Sequence, residues 1–467
     1  MATRSESIMH TASDGKLFAT YVSPAVTAMI VNGIYSVIDG IFIGQAVGAE
    51  GLAAAGIAWP IFAVMIGVGM MIGMGAGSYI GLYRGRGDDG KAGHIIGNTL
   101  SLLLLTSLLL GPLTYLLSPP LVALMGASGA TAGYAEDYLR IFALFAPVVL
   151  SAAALPLLLR NGDQPSLTTW ILCIGALLNL IVGYWLIIIR EMGMTGAALA
   201  TVFAQAVVCL LSLYYLQRDD WPIPFRRRDL RPQRRSCQQI LHRGLPSLVM
   251  FGYFIFFMVA HNWLFLQHGG VVAVAAFSIA SYIFAFYGYF AEGIATGIQP
   301  ILSYHVGSGQ QRRVRATVIM ALCWVTAIGG VISAIIYIDT DAIARIFNSD
   351  DEQLLQMTVN GLRLHLFAIF LDGIIFVSGI YFQAVHRTYV ALLVNSGNIA
   401  IQIPMLIILP WLWGVNGIWL AMPISNILIA IPVLWIMLDD LRQRRAISTS
   451  DESVPPRTAA HDRHDSD

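Results

Sequence analysis

The chain has 467 residues, of which 57% are hydrophobic and only 12% charged, with a mean hydropathy of +0.70. A soluble globular protein needs far more charge to cover its surface, so that class is excluded. The formal net charge is zero, which gives no general attraction to nucleic acid.

A hydrocarbon core ~30 Å thick takes about 20 mostly apolar residues per helical crossing. Twelve such stretches follow in order, at 17–44, 51–82, 93–117, 133–159, 167–189, 194–216, 244–267, 272–304, 314–338, 358–383, 389–412 and 415–438. The first is too long for the core of a signal peptide and reads as a retained helix. Cys173, Cys209 and Cys323 fall inside spans and Cys237 in a basic loop. They show neither pairing nor metal spacing and read as structural thiols, with no metal expected.

Twelve spans put both termini on one side. The connections on that side hold 23 of the 27 lysines and arginines, counting Arg160 after span four and Arg243 before span seven. The opposite side has only Arg140, Arg190, Arg345 and Arg363. The positive-inside rule therefore makes both termini cytoplasmic.

The chain repeats itself. A shift of 222 residues brings Ala54, Ile57, Ala58, Ile61, Phe62, Ala63, Ile72, Gly75, Gly85 and Gly87 onto identical residues at 276–309 without a gap. Pro24 meets Pro246 and Gly48 meets Gly270, while the run from Gly193 resembles the run from Gly414. Six helices per repeat is an even number, so the halves have the same orientation. The organisation expected is an N-lobe at 1–217, a basic linker at 218–243, a C-lobe at 244–440 and a disordered polar tail at 441–467. The fold class is an all-α polytopic membrane protein, its twelve transmembrane helices forming two parallel-repeat lobes around a central cavity.

Only Asp39, Glu292 and Asp372 among the 27 acids sit well inside spans. A charge at mid-membrane costs about 2.5–3.5 kcal/mol on insertion scales, so such a residue faces a cavity and works there. Asn32, Tyr35 and Asp39 share one face of the first helix. Glu292, Thr296, Gln299 and Ser303 form a stripe on the eighth. His365 precedes Asp372 by two turns, and Asn395, Asn398 and Gln402 line one face of the eleventh. The bland reading of Asp39 is a protonated structural group; for Glu292 and Asp372 it is a structural or helix-end acid. His261 is the counterpart of Asp39 under the shift, although a single histidine on an apolar helix is more often a packing residue. The aromatic runs at 251–257 and 284–290 suit either lipid contact or lipophilic cations held by ring faces. The glycines from Gly67 to Gly77 allow close helix packing. They make no phosphate loop, since no Lys-Ser/Thr follows, and no zinc motif or nucleophile elbow appears. An enzyme is not expected.

The segment Tyr35-Ser-Val-Ile-Asp39-Gly-Ile-Phe42-Ile-Gly44, with Gly48 and the Leu52-Ala-Ala run, resembles the opening signature of the multidrug and toxic compound extrusion (MATE) family. Similarity continues through Arg160-Asn-Gly-Asp163-Gln-Pro165, Gly297-Ile-Gln-Pro300, Tyr381-Phe-Gln-Ala384 and Gly414-Val-Asn-Gly417. The resemblance implies a secondary antiporter that exports organic, often cationic, compounds in exchange for H+ or Na+ by rocking alternating access. It implies a monomer in the bacterial inner membrane, with small organic molecules and the bilayer as partners and no cofactor beyond the coupling ion. In part of the family an Asp, an Asn, a second Asp and a Thr make an N-lobe cation site. Asp39, Asn179 and Thr201 match three of these positions, and the second Asp falls on Gly183. Asp372 is similar to a C-lobe cation ligand of another branch, whose partner Glu falls on Phe254. One carboxylate carries a proton, so the resemblance implies H+ before Na+. Glu292, Asp372, His261, Gln299 and Asn398 are the expected C-lobe polar and substrate residues. The alternative is a flippase of lipid-linked precursors or a polysaccharide exporter of the same superfamily; a channel or membrane-embedded enzyme is a third class.

Overall fold

In a computed structural model, residues 8–347 and 351–452 are described, and all regular structure among them is helical. Long apolar runs in lipid must satisfy their own backbone groups, which leaves helices as the solution for each span. After a single turn at Ile8–Thr11 come α1 (Asp14–Ala46), α2 (Ala49–Gly85) and α3 (Asp89–Leu124). The unit α4 is a pair, Gly129–Leu144 and Ala146–Asn161, bent by 66°. α5 (Pro165–Gly183) widens into a π-helical turn at Tyr184–Ile189, and α6 is Gly193–Leu216. A 74-residue helix, Arg234–Gly307, breaks at Gly270 (φ 67°, ψ −164°) into α7 (234–269) and α8 (271–307). α9 is Gln311–Ile338 and α10 the pair Glu352–Leu366 and Ile369–Ala384, bent by 43°. α11 (Thr388–Trp413) and α12 (Val415–Glu452) complete the set. Nine of the described helices are long and apolar enough to cross, and eleven units are if each bent pair counts once. The break at Gly270 divides one of these into two crossings.

The repeat is visible in the backbone. Gly48, between α1 and α2, has φ 80° and ψ −157°, close to the values at Gly270 between α7 and α8. That region is accessible essentially only to glycine. Gly193 and Gly414, which open α6 and α12, both have φ 54°. Two apolar cores follow the same division, one drawn mainly from α2–α6 and the other mainly from α7–α12.

The lobes meet at the end that carries the termini and the linker. Gly75 of α2 has no room for a Cβ against the Ile240 carbonyl of α7, nor Gly244 of α7 against that of Met71. At the equivalent place in the repeat, a Cβ on Gly297 of α8 would lie 2.9 Å from Val22 Cα of α1. Polar bonds add to this seam. Asn161 donates to Gln299 Oε1 at 3.1 Å and Ser78 to the Gln383 carbonyl at 3.4 Å. Arg313 donates to the Met9 and His10 carbonyls, and Arg312 pairs with Asp14 at 3.0 Å.

Three sequence boundaries need revision. α7 begins at Arg234, ten residues inside the expected linker. The rest of that linker is docked: Trp221 and Ile223 are buried, Asn98 of α3 donates to the Asp229 carbonyl at 3.2 Å, and its Oδ1 accepts from Gln233 N at 2.7 Å. α12 continues to Glu452, twelve residues into the expected tail. Buried Asp440 anchors it through Arg387 at 3.0 Å, Arg444 at 2.8 Å and the Tyr381 hydroxyl. Residues 453–467 of the expected tail lie outside the described residues.

Candidate functional site

Above the closed seam the two lobes enclose a cavity of about 470 Å³. Its N-lobe wall is built from α1, α5 and α6. The 3.6-residue period brings Asn32, Tyr35 and Asp39 to one side of α1, and all three line the cavity. Asn179 of α5 and Thr201 of α6 face them, joined by a bond from Asn179 Nδ2 to Thr201 Oγ1 of 3.1 Å. Asp39 Oδ1 and Asn179 Oδ1 are buried and have no hydrogen-bond partner. A Cβ at Gly183 would lie 3.9 Å from Asp39 Oδ1, so this glycine does face the carboxylate. The π-helical turn begins at the next residue, Tyr184, where α5 leaves the cavity wall. Such turns recur beside functional sites because they re-aim the side chains around them.

The C-lobe wall holds Glu292 and Thr296 of α8, Asp372 of α10, and Asn395 and Asn398 of α11. Tyr253 of α7 stands among Asp372, Asn398 and Gln402. Its hydroxyl, Asn398 Oδ1 and both amide atoms of Gln402 are buried without partners. Buried polar atoms of this kind are costly unless something else meets them. Trp59, Phe62, Phe251, Phe254, Phe284 and Tyr289 supply aromatic surface between the polar groups. The aromatic runs thus divide: some of their rings line the cavity, while Phe286 is exposed on the outer surface and Phe257 is core.

Two expected site residues are elsewhere. His261 is fully buried in an aromatic cluster with Phe257, Phe277 and His365, and its Nδ1 bonds the Phe257 carbonyl at 2.9 Å. His365 is held likewise, by the Trp419 carbonyl at 2.9 Å. Gln299 belongs to the seam, between Asn161 and Ser303. The divergence of the halves explains His261: the aromatic lining around it leaves no path to the cavity face.

Sequence reasoning also missed Arg160. Counted as a loop cation, it is 2% exposed on α4, lines the cavity, and has unpartnered Nε and Nη1. It lies close enough to Glu292 for their charges to interact, without a direct ion pair. Its signal was available, since an arginine on the last turn of an apolar helix points back along that helix. Tyr138 and Gln205 line the N-lobe wall as well and were not anticipated.

The MatE family model matches the chain twice, over residues 24–185 and 246–408, with starting points 222 residues apart. The chain belongs to the MatE family of transporters. This MatE protein is 24% identical over 424 residues to the multidrug export protein MepA of Staphylococcus haemolyticus, covering 91% of this chain and 93% of MepA. Among solved structures it is similar to the MATE multidrug transporter DinF-BH in complex with a drug-like small molecule, with a TM-score of 0.87 and 29% identity over 96% of this chain and all of that one. It also shares its fold with a MOP superfamily transporter from Pyrococcus furiosus, with a TM-score of 0.87 and 22% identity over 94% and 98% of the two chains.

Proposed function

We propose that this MatE transporter is a proton-coupled antiporter that exports organic, cationic or lipophilic compounds across the bacterial inner membrane, working as a monomer with both termini in the cytoplasm. The observation that carries the reading is the N-lobe site. Asp39 is its single carboxylate, turned toward Asn179 and Thr201, with glycine where a second acid would stand. A sodium ion stripped of water needs several protein oxygens, whereas a proton needs one carboxylate. Asp39 takes a proton from one side and releases it to the other, and its protonation must change the relative stability of the two facing states for the gradient to do work.

The substrate face is the C-lobe wall. Asp372 and Glu292 supply counter-charge in a medium where an unpaired cation is expensive. The aromatic surfaces of Phe62, Phe251 and Tyr289 supply apolar and ring-face contact. Drug export by MepA and the small molecule bound to DinF-BH support this substrate class. A precursor flippase is favoured only by Arg160, one cation against three carboxylates.

The test is dye efflux from vesicles with imposed gradients. Asp39→Asn should reach the membrane normally and lose gradient-driven efflux. An inward proton gradient should drive export where an inward sodium gradient at equal pH does not. Wild-type-like efflux by the variant at matched expression sinks the role of Asp39. Export driven by sodium alone overturns the ion and leaves the transporter standing.

A further inference from the structure

A second cavity, of about 410 Å³, lies at the terminal end of the C-lobe and shares no residue with the transport cavity. His242 and Arg243 of α7 form one wall, and His386, Arg387 and Thr388 at the α10–α11 connection form the other. None of the lining residues is acidic. The nearby carboxylate, Asp440, pairs with Arg387 at 3.0 Å and is also taken by Arg444 and Tyr381.

Arg243 is therefore left over. It is 9% exposed, and its Nε and Nη1 are buried without partners. Its guanidinium lies over the ring of Tyr79, 5.2 Å from the centroid, and its carbonyl accepts from Gln383 Nε2 at 2.9 Å, which fixes its backbone. His386 meets the same tyrosine ring edge to face at 5.4 Å, and its Nε2 is likewise buried and unpartnered. Burial first, then Arg243 and Arg86, press the His386 imidazole down to about 3, which reports the positive field in this corner. A buried guanidinium without a counter-charge is costly, and its planar donors match phosphate oxygens.

The surroundings indicate where such a phosphate would come from. Tyr389 lines the same cavity and is 72% exposed, and Leu393, one turn further on the same face of α11, is 50% exposed. An exposed tyrosine at the end of a span, followed by exposed leucine, marks the headgroup level of a lipid-facing surface. We infer that this pocket binds the phosphate of an anionic membrane lipid, with Arg243 and His386 as its donors, His242 at its rim and the acyl chains along Tyr389 and Leu393. Basic pockets between helices at the headgroup level recognise lipids in this way. Tyr79 belongs to α2, so the two donors also hold the other lobe. Lipid binding then favours the state in which the terminal halves are closed, by as much as it binds that state better.

Native mass spectrometry of the purified full chain with phosphatidylglycerol or phosphatidylcholine tests this. Phosphatidylglycerol should be retained at least about tenfold better, the scale of one charge-assisted hydrogen bond, and Arg243→Gln should abolish the preference. His242→Glu changes only an exposed rim residue and should lower phosphatidylglycerol retention several-fold, so the outcome does not depend on Arg243→Gln folding. Equal retention of the two lipids, or an unchanged preference in His242→Glu, overturns the proposal. Inorganic phosphate that displaces phosphatidylglycerol at equal concentration overturns the lipid as the source. None of these readouts requires transport.

Discussion

The N-lobe site turns on a missing side chain. With 3.9 Å between a Cβ at position 183 and Asp39 Oδ1, an aspartate there would place a second carboxylate against the first. Two carboxylates so close cannot both stay charged without a proton or cation between them. Gly183→Asp should therefore gain what the parent lacks: sodium should raise the thermal stability of the variant and leave the parent unmoved. No sodium effect in a well-folded variant would mean that Asn179 and Thr201 are not placed to complete a cation shell. On the C-lobe side, Glu292→Gln and Asp372→Asn should each weaken efflux of cationic substrates about tenfold or more while sparing neutral ones, because a counter-charge matters only to a charged ligand. Efflux measured across a cationic and a neutral dye checks this, and equal losses for both would point to folding or coupling. Much of this site was legible in the sequence, because Asp39, Glu292 and Asp372 are conspicuous in hydrocarbon. Arg160 was not, since an arginine near a helix end reads as a loop residue until the bend in α4 shows where that end lies. His261 failed for the opposite reason: its position in the repeat matches Asp39, but the rings of Phe257 and Phe277 close over it.

At the scale of elements, helix spans and their order follow from apolar length, and the edges that the sequence misplaced are those set by tertiary contacts. α12 extends because Arg444 reaches Asp440 and Tyr381 across to α10, and apolar length cannot register such a bond. The start of α7 moves to Arg234 because the linker packs on α3 and frees the following residues to wind. The turns between α1 and α2 and between α7 and α8 were legible, since Gly48 and Gly270 stand in register. Their positive φ with extended ψ costs any other residue about 1–3 kcal/mol. Gly48→Ala and Gly270→Ala should each lower the midpoint of thermal unfolding in detergent by a few degrees, and by similar amounts. A loss confined to one of them would mean that the two turns do not carry equivalent strain.

For the whole molecule, the seam and the cavity are two faces of one arrangement. The lobes touch backbone to backbone at Gly75, Gly244 and Gly297, which is possible only while the terminal halves are closed. The cavity begins beyond that contact, at Ala28 of α1 and Trp59 of α2. Alternating access requires the seam to open as the other side closes, so its contacts belong to one state and to no other. A side chain added at the seam penalises that state alone, by about 1–3 kcal/mol for overpacking. Since 1.4 kcal/mol is tenfold in an equilibrium, Gly75→Val should shift the population of facing states by about tenfold or more. The shift can be read from Ser36, which lines the cavity. In a background with Cys173, Cys209, Cys237 and Cys323 replaced, Ser36→Cys should react readily with an impermeant thiol reagent added on the side opposite the termini. Adding Gly75→Val should slow that reaction several-fold, and Gly297→Val should do the same from the other half of the repeat. Unchanged labelling in both, with the variants folded, would mean that these glycine contacts persist through the transport cycle and that the lobes open somewhere else.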